Sequence, residues 1–309
     1  MPTPPTAPAS HPTRDRSGLL LAIGSAALFS LKAVFVKLGL ADGLTVETLM
    51  AWRMLLALPV YVVVGLAAFR RGPASPARDI AAAAGLGVLS YYVCTWLDFS
   101  GMRYISAQLE RLILFTYPAL TAVLAWVMLG ERFTRRHAAS LGLSYAGVLL
   151  VFGAEAGAAG PHAALGVALV FAAALLFALY VVLAKPVIKT LGSKRFTCVA
   201  MVAATTAILT HRSAIHLVAA PGEGAVWISP AALGYGAVLA VFCTALPSFM
   251  LSEAIARIGA GRTSAAGNIG PVVTAGAAVF VLHEPFGPAQ AGGLVLITLG
   301  VGMLARRRA

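Results

Sequence analysis

The sequence predicts an all-α integral membrane protein of ten transmembrane helices, arranged as two inverted five-helix repeats with both termini in the cytoplasm. Three observations carry that expectation. The 309 residues are 60% hydrophobic and 11% charged, with a mean hydropathy of +0.88. Apolar runs succeed one another from residue 18 to the C-terminus. Two stretches of the chain also match each other at a fixed shift.

Composition comes first because it sets the solvent. A soluble domain is about half apolar and about a quarter charged. At 11% charge, a soluble fold of this length could not present enough polar surface to water. The formal net charge of +12 would suit a nucleic-acid partner if it were gathered in one patch. The Lys and Arg residues instead stand singly or in short clusters between apolar runs, so nucleic acid is excluded as a partner. Cys94, Cys198 and Cys243 lie in apolar stretches, are odd in number and have no metal-ligand spacing. They read as small buried hydrophobes, and neither metal nor cofactor is expected. Residues 1–17, rich in Pro, Thr, Ala and Ser, read as a disordered cytoplasmic tail. They lack the basic–apolar–cleavage order of a signal peptide, so the first apolar run is expected to be retained.

A helix needs about 20 apolar residues to cross the hydrocarbon core. The expected spans are 18–39, 45–69, 79–101, 104–129, 137–153, 163–184, 196–217, 230–252, 263–282 and 287–305. The fifth is short, and His211, Arg212 and His216 polarise the end of the seventh. With both termini in the cytoplasm, 17 of the 23 Lys and Arg residues fall inside. Arg103 and Arg212 fall outside, and Lys32, Lys37, Arg53 and Arg111 stay within spans. Cytoplasmic loops retain positive charge, so this split sets the orientation.

A shift of 153 residues lays the fourth and fifth spans on the ninth and tenth without a gap. Ile105 meets Ile258, Ala107 meets Ala260, Pro118 meets Pro271, Thr121 meets Thr274 and Glu131 meets Glu284. The first and sixth spans match more loosely at a shift of 148, with Gly18 on Gly166 and Lys37 on Lys185. The repeats are placed at 18–153 and 163–305. Five spans per repeat is an odd number, so the second copy enters the membrane inverted. Inverted repeats with a midplane site between them are a secondary-transporter pattern. Pro118 and Pro271 each fall inside a span, where proline kinks a helix, and both are read as functional kinks.

Several motifs resemble the EamA-type family of the drug/metabolite transporter superfamily. In the first half they are Arg103-Tyr104-Ile105-Ser106-Ala107, Tyr117-Pro118 and Leu129-Gly130-Glu131-Arg132-Phe133-Thr134. The second half carries a decayed copy: Arg257-Ile258-Gly259-Ala260, Gly270-Pro271 and Leu282-His283-Glu284-Pro285-Phe286. The resemblance covers the chain beyond the tail. It implies ten helices, a central cavity and metabolite export by alternating access. His283 departs from the pattern, which would place Gly there. Glu131 and Glu284 stand where a span ends. They are read as structural, each holding backbone N–H groups of the next helix.

Charge within hydrocarbon is costly and marks function by default. Lys32, Arg53, Asp98, Glu110 and Arg111 all fall in the outer half of the first repeat's spans, which predicts one polar cluster. Helical spacing puts Tyr91, Thr95 and Asp98 on one stripe, and Arg111, Phe115 and Pro118 on another. The repeat places Ser264, Asn268 and Pro271 opposite, with Tyr180 at the position of Lys32. The predicted cargo site therefore comprises Lys32, Arg53, Tyr91, Thr95, Asp98, Arg111, Tyr117, Tyr180, Ser264 and Asn268. Three bland alternatives stay open. Lys32–Asp98 or Arg53–Glu110 could be structural ion pairs, and Tyr91, Tyr92 and Trp96 could be an interfacial aromatic belt. Lys37, Asp98 and Arg103 could also snorkel to the interface.

Two function classes compete at this point. One is transport of a small metabolite across a bacterial inner membrane. The other is a membrane-embedded enzyme acting on lipid. The sequence has no His/Glu metal spacing, no Gly-Xaa-Ser-Xaa-Gly and no Gly-Lys-Ser/Thr phosphate loop, so no enzyme is expected. Basic residues outnumber acidic ones within the spans, which favours an anionic or zwitterionic cargo such as an amino acid over an organic cation. A proton-driven cycle would need a carboxylate in the membrane, and Asp98 and Glu110 are the candidates. Glu110 is preferred, because Asp98 is read as nearer the surface. The expected partners are the metabolite, the lipid bilayer and, in that cycle, protons, in a monomer or homodimer.

Overall fold

The computed structural model describes residues 16–70, 75–130, 132–155, 160–218, 229–267 and 269–305. Among them every regular element is a helix. Helix α1 covers Arg16–Ala41, α2 Val46–Arg70, α3 Ala77–Gly101, α4 Ala107–Leu129, α5 Arg135–Glu155 and α6 Ala163–Leu191. Helix α7 covers Ser193–Val218. Helix α8 runs through Pro230–Ala240, Val241–Ala245 and Leu246–Gly267. Helix α9 is Gly270–Leu282 and α10 is Pro288–Ala305. Seven are long and apolar enough to cross a bilayer: α1 to α6, and α8 over Pro230–Leu251. The polar ends of α7, from Ser193 to Arg195 and from His211 to Arg212, keep it from that class, and α9 is short. Large side chains on the outer surface are apolar, among them Leu20, Val63, Trp126, Val127 and Phe280, as a surface facing lipid requires.

Local chemistry sets the helix ends. Ser106 opens α4 by accepting the Leu109 N–H at 2.9 Å, and Ser229 opens α8 by accepting the Ala232 N–H at 3.0 Å. Pro230 then sits at the first helical position, where its missing N–H costs nothing. Gly130 closes α4 in the left-handed conformation at φ 65°, and His283, one repeat later, closes α9 at φ 55°. His283 is the one non-glycine residue with positive φ among the described residues. The departure from glycine seen in the sequence is therefore a side chain held where glycine fits best.

Four helices are interrupted. Leu31 separates Arg16–Ser30 from Lys32–Ala41 within α1. Phe115 and Thr116 separate Ala107–Leu114 from Tyr117–Leu129 within α4, so Pro118 lies in the first turn of a new helix. Pro271 likewise lies in the first turn of α9. The Thr116 hydroxyl donates to the Ile113 carbonyl at 2.7 Å, satisfying a group the break releases. The third interruption is a π-helical segment, Val88–Cys94, within α3. Helix α8 has its own at Val241–Ala245. Val88 and Val241 are 153 residues apart, so both π segments begin at repeat-equivalent positions.

Packing follows the same pairing of halves. Helices α5 and α10 cross where small residues let backbones meet. A Cβ on Gly147 would lie 2.8 Å from the Gly293 carbonyl oxygen, and one on Gly300 would lie 2.9 Å from that of Ser140. Those two contacts exchange under the 153-residue shift. Helix α1 packs on α8, where the Ser25 hydroxyl donates to the Pro247 carbonyl at 2.8 Å. Helix α3 packs on α6 at Gly101 and Gly166. The main core gathers Leu49, Met50, Met54, Phe99, Met102 and Leu239 from α2, α3 and α8.

Two expectations from the sequence are corrected here. No loop divides residues 252 and 263, because α8 continues helically to Gly267. Arg257 rides on that helix, pairing with Glu253 one turn earlier at 2.7 Å and donating to the Ser17 hydroxyl at 2.8 Å. The charge there decorates a helix rather than a turn. Glu284, expected to hold the next helix, instead accepts from Ala107 N at 2.7 Å and Gln108 N at 3.2 Å. It caps α4, in the other half of the chain. Its mate Glu131 lies outside the described residues.

Candidate functional site

Lys32 begins the second segment of α1, directly after the interruption at Leu31. Its ammonium lies 2.5 Å from Asp98 Oδ2 and 3.6 Å from Glu110 Oε1. Asp98 comes from the segment of α3 that follows the π turn, and Glu110 from the first segment of α4. One cation thus faces two carboxylates on two different helices. Glu110 is fully buried, and neither of its oxygens has a hydrogen bond among the described residues. Asp98 is 3% exposed, so its carboxylate is buried within the protein. The packing of α3 against α6 and α2 covers it.

Two arginines flank this trio. Arg53 is buried and reaches Thr95 Oγ1 at 3.5 Å. Its guanidinium lies 5.4 Å from the Phe99 ring centre, and the Lys32 ammonium lies 5.6 Å from the same ring. Phe99 therefore contacts two cations through its electron-rich face. Arg111 donates to the Ser30 hydroxyl at 2.9 Å and lies over the Phe115 ring. Ser30 in turn donates to Ala26 O at 2.6 Å, and its carbonyl accepts from the Thr274 hydroxyl at 2.9 Å. A Cβ on Gly270 would come within 2.7 Å of Arg111 Nη2 and 2.8 Å of Ser30 Oγ. A side chain at position 270 would displace the guanidinium or the Ser30 hydroxyl from this arrangement.

The structure gathers Lys32, Arg53, Thr95, Asp98, Glu110 and Arg111 into one neighbourhood. The alternative pair Arg53–Glu110 is not among the ion pairs of the described residues, and the Arg53 fork reaches Thr95 Oγ1 instead. Tyr91, Tyr117 and Tyr180 group separately. Tyr91 meets Tyr180 edge-on at 6.1 Å, Tyr180 stacks on Phe177 at 5.6 Å, and Phe177 meets Tyr117 at 5.0 Å. The stripe expected to join Tyr91 to Asp98 is broken, because π geometry between them rotates Tyr91 toward α6. Tyr92 and Trp96 turn to the end of α7, where each meets the His211 ring edge-on. Asn268 and the Ser264 side chain lie outside the described residues.

Sequence reasoning missed Ser30, Phe99, Gly270 and Thr274. Thr274 carried a signal, because it matches Thr121 in the repeat, yet the two act differently. Thr121 donates to its own helix at Tyr117 O, at 2.8 Å, whereas Thr274 donates across to α1. Arg53 Nε, Asp98 Oδ1, Glu110 Oε1 and Oε2, and Arg111 Nε are buried without hydrogen-bond partners among the described residues. Buried polar groups are normally satisfied. The cluster therefore holds unused hydrogen-bonding capacity in its buried charged groups. Among the described residues, no group of His, Cys, Asp and Glu could hold a metal ion.

Comparison with known proteins bears on what the cluster serves. The EamA-like transporter family matches residues 16–153 and again residues 164–306. The chain is 27% identical over 296 residues to the uncharacterized transporter YcbK of Bacillus subtilis (strain 168), covering 92% of this chain and 91% of that protein. It is 26% identical to the uncharacterized transporter YyaM of the same organism, over 81% of both chains. It is also 27% identical to the uncharacterized transporter sll1319 of Synechocystis, over 72% of this chain and 65% of that one. A crystal structure of 18% identity shares the fold with a TM-score of 0.64, covering 93% of this chain and 96% of the other. Two family matches in tandem, on a chain of apolar helices around a buried charged cluster, give the conclusion: the chain belongs to the EamA-like transporter family, within the drug/metabolite transporter superfamily, and is a multi-pass membrane transporter.

Proposed function

We propose that this protein exports a small anionic or zwitterionic metabolite, such as an amino acid, by alternating access across a bacterial inner membrane. The observation that carries this reading is the charge of the buried cluster. Lys32, Arg53 and Arg111 outnumber Asp98 and Glu110, and all five lie within contact range of one another's partners. An anionic group entering there meets an excess of buried donors. In this reading ten helices cross the bilayer in two inverted repeats with both termini inside, and α7 and α9 cross despite their polar or short spans. The interruption before Pro118 lets the two halves of α4 move separately, and Pro271 in the first turn of α9 lets that helix move separately from α8.

Uptake into proteoliposomes tests the cargo, screened over amino acids, carboxylates, nucleosides and quaternary amines. The reading expects anionic or zwitterionic solutes to be carried. It also expects Lys32→Gln/Asp98→Asn, which keeps the pair neutral and hydrogen-bonded, to elute as a folded species and carry none. Preferred uptake of quaternary amines would overturn it in favour of an organic-cation exporter. Topology is tested separately by single cysteines at Ser75 and His162, in a background without the native three. Ser75 is expected to react in intact cells only with permeant reagents, and His162 with impermeant ones. Labelling of both from one side would remove the ten-span arrangement.

For a proton-coupled cycle, Glu110 is the proposed proton carrier. It is buried and without a hydrogen-bond donor, and the ammonium it faces is held closer to Asp98. Glu110→Gln is expected to abolish uptake driven by a pH gradient while retaining exchange of cargo for cargo. Full accumulation by that variant would exclude Glu110.

A further inference from the structure

We infer that Ser30 is the centre of a latch, with Arg111 and Thr274 as its two arms, that sets the balance between the two states of the transport cycle. The inference rests on the alternating-access reading and assigns positioning roles within it.

Each arm reaches Ser30 from a different helix. Arg111 stands one turn before the interruption of α4, and its carbonyl accepts the Phe115 N–H at 3.0 Å, beside the break. Its guanidinium donates to the Ser30 hydroxyl at 2.9 Å. Thr274 stands one turn into α9, and its hydroxyl donates to the Ser30 carbonyl at 2.9 Å. Ser30 is the last residue of α1 before the interruption at Leu31. One residue thus meets the break in α1, the break in α4 and the start of α9. Ser30 is 1% exposed and Thr274 is 0% exposed, so both bonds lie away from water, where they are electrostatically stronger.

The latch is one-sided. At the 148-residue shift Ala178 stands at the position of Ser30, and α6 runs unbroken from Ala163 to Leu191. Thr121, the mate of Thr274, donates to its own helix at Tyr117 O. Aromatic rings meet at that junction instead, Tyr117 on Phe177 at 5.0 Å. Rocking one repeat against the other loads the two related junctions in turn. Cross-helix hydrogen bonds at one junction alone therefore favour the state that keeps it closed.

The latch also adjoins the charged centre. Arg111 follows Glu110, whose carboxylate is 3.6 Å from the Lys32 ammonium, and Lys32 is two residues beyond Ser30. A ligand shifts an equilibrium only by its difference in affinity for the two states. A solute that engages Lys32 or Arg111 acts on the turns that carry the latch, which supplies such a difference.

The test reads sidedness without cargo. Thr95→Cys, at the charged centre, is made in full-length protein lacking the native cysteines and placed in inside-out and right-side-out vesicles. Its rates of reaction with membrane-impermeant sulfonatoethyl methanethiosulfonate are measured from each side. Ser30→Ala and Thr274→Val are each expected to change the ratio of the two rates by about fivefold, the net effect of one hydrogen bond, and in the same direction. Thr274→Ser, which keeps the hydroxyl, and Thr121→Val, which loses a bond at the other junction, should keep the parent ratio. A ratio unchanged in Ser30→Ala or in Thr274→Val would overturn the latch, and a lowered thermal midpoint alongside it would make the contacts structural only. Shifts in opposite directions, or an equal shift in Thr274→Ser or Thr121→Val, would overturn it as well. Reaction from one side alone in the parent and in every variant would remove alternating access itself, and the latch with it.

Discussion

The Glu284 carboxylate joins the two halves of the chain by accepting the Ala107 N–H at 2.7 Å and the Gln108 N–H at 3.2 Å. Gln108 returns the contact through its side-chain amide, donating to the Pro285 carbonyl at 3.1 Å. The first N–H groups of a helix have no partner within it, and the helix dipole favours negative charge there. Loss of the cap is therefore expected to destabilise the protein by about 1–2 kcal/mol. Thermal unfolding in detergent should place Glu284→Ala well below the parent and Glu284→Gln between them, since an amide keeps one acceptor. Equal midpoints for all three would show that the cap adds nothing.

His283, next to that cap, holds a left-handed conformation at φ 55°. A residue with a Cβ pays for that conformation with about 1–2 kcal/mol relative to glycine. The side chain is exposed and closes a helix whose mate in the first half ends on Gly130. His283→Gly is expected to raise the unfolding midpoint, and Gly130→His to lower it. A fall on His283→Gly would mean that the imidazole makes a contact worth more than the strain.

Lys32 and Asp98 are not equivalent halves of a pair. Lys32→Met leaves two buried carboxylates facing each other, and breaking a buried pair from one side costs about 3–5 kcal/mol. Asp98→Asn leaves Lys32 with Glu110 still 3.6 Å away, so it should cost less. The double variant Lys32→Met/Asp98→Asn should recover part of the loss. Denaturation of the three variants measures the order, and equal losses for the single variants would show that Glu110 does not share the ammonium.

Helices α5 and α10 approach through glycine. Gly147→Leu would force a side chain into the Gly293 carbonyl and Ile297, while Gly153→Leu adds one where a Cβ meets nothing within 4 Å. The first is expected to lower folded yield and thermal stability severely, and the second to leave both near the parent. Fluorescence-detected gel filtration compares them directly. Similar profiles would mean that the crossing can open without loss.

Much of this was legible in the sequence for one reason: hydrocarbon makes charge conspicuous. Lys32, Asp98 and Glu110 stood out because buried charge is costly, and the structure places them together. The 153-residue shift was readable because Pro118 and Pro271 are rare residues at matching places. Other features left no local trace. Glu284 caps a helix 177 residues away, and no spacing rule reaches that far. Helix α8 runs through the region around Arg257, whose guanidinium pairs with Glu253 and donates to Ser17, and the Ser17 contact is tertiary. The separation of Tyr91 from Asp98 depends on backbone geometry that apolar periodicity does not report.

The π segment in α3 has a consequence for chain length itself. A π turn holds about one residue more than an α turn of equal height, so Val88–Cys94 behaves as a one-residue insertion absorbed without a loop. Removing a single residue there would let the segment relax to an α-helix and turn everything beyond it by about 100°. Thr95 would swing away from Arg53, and Asp98 away from Lys32. The alignment of the charged centre is thus a matter of phase along α3, set by one residue four to ten positions upstream of the carboxylate it aims.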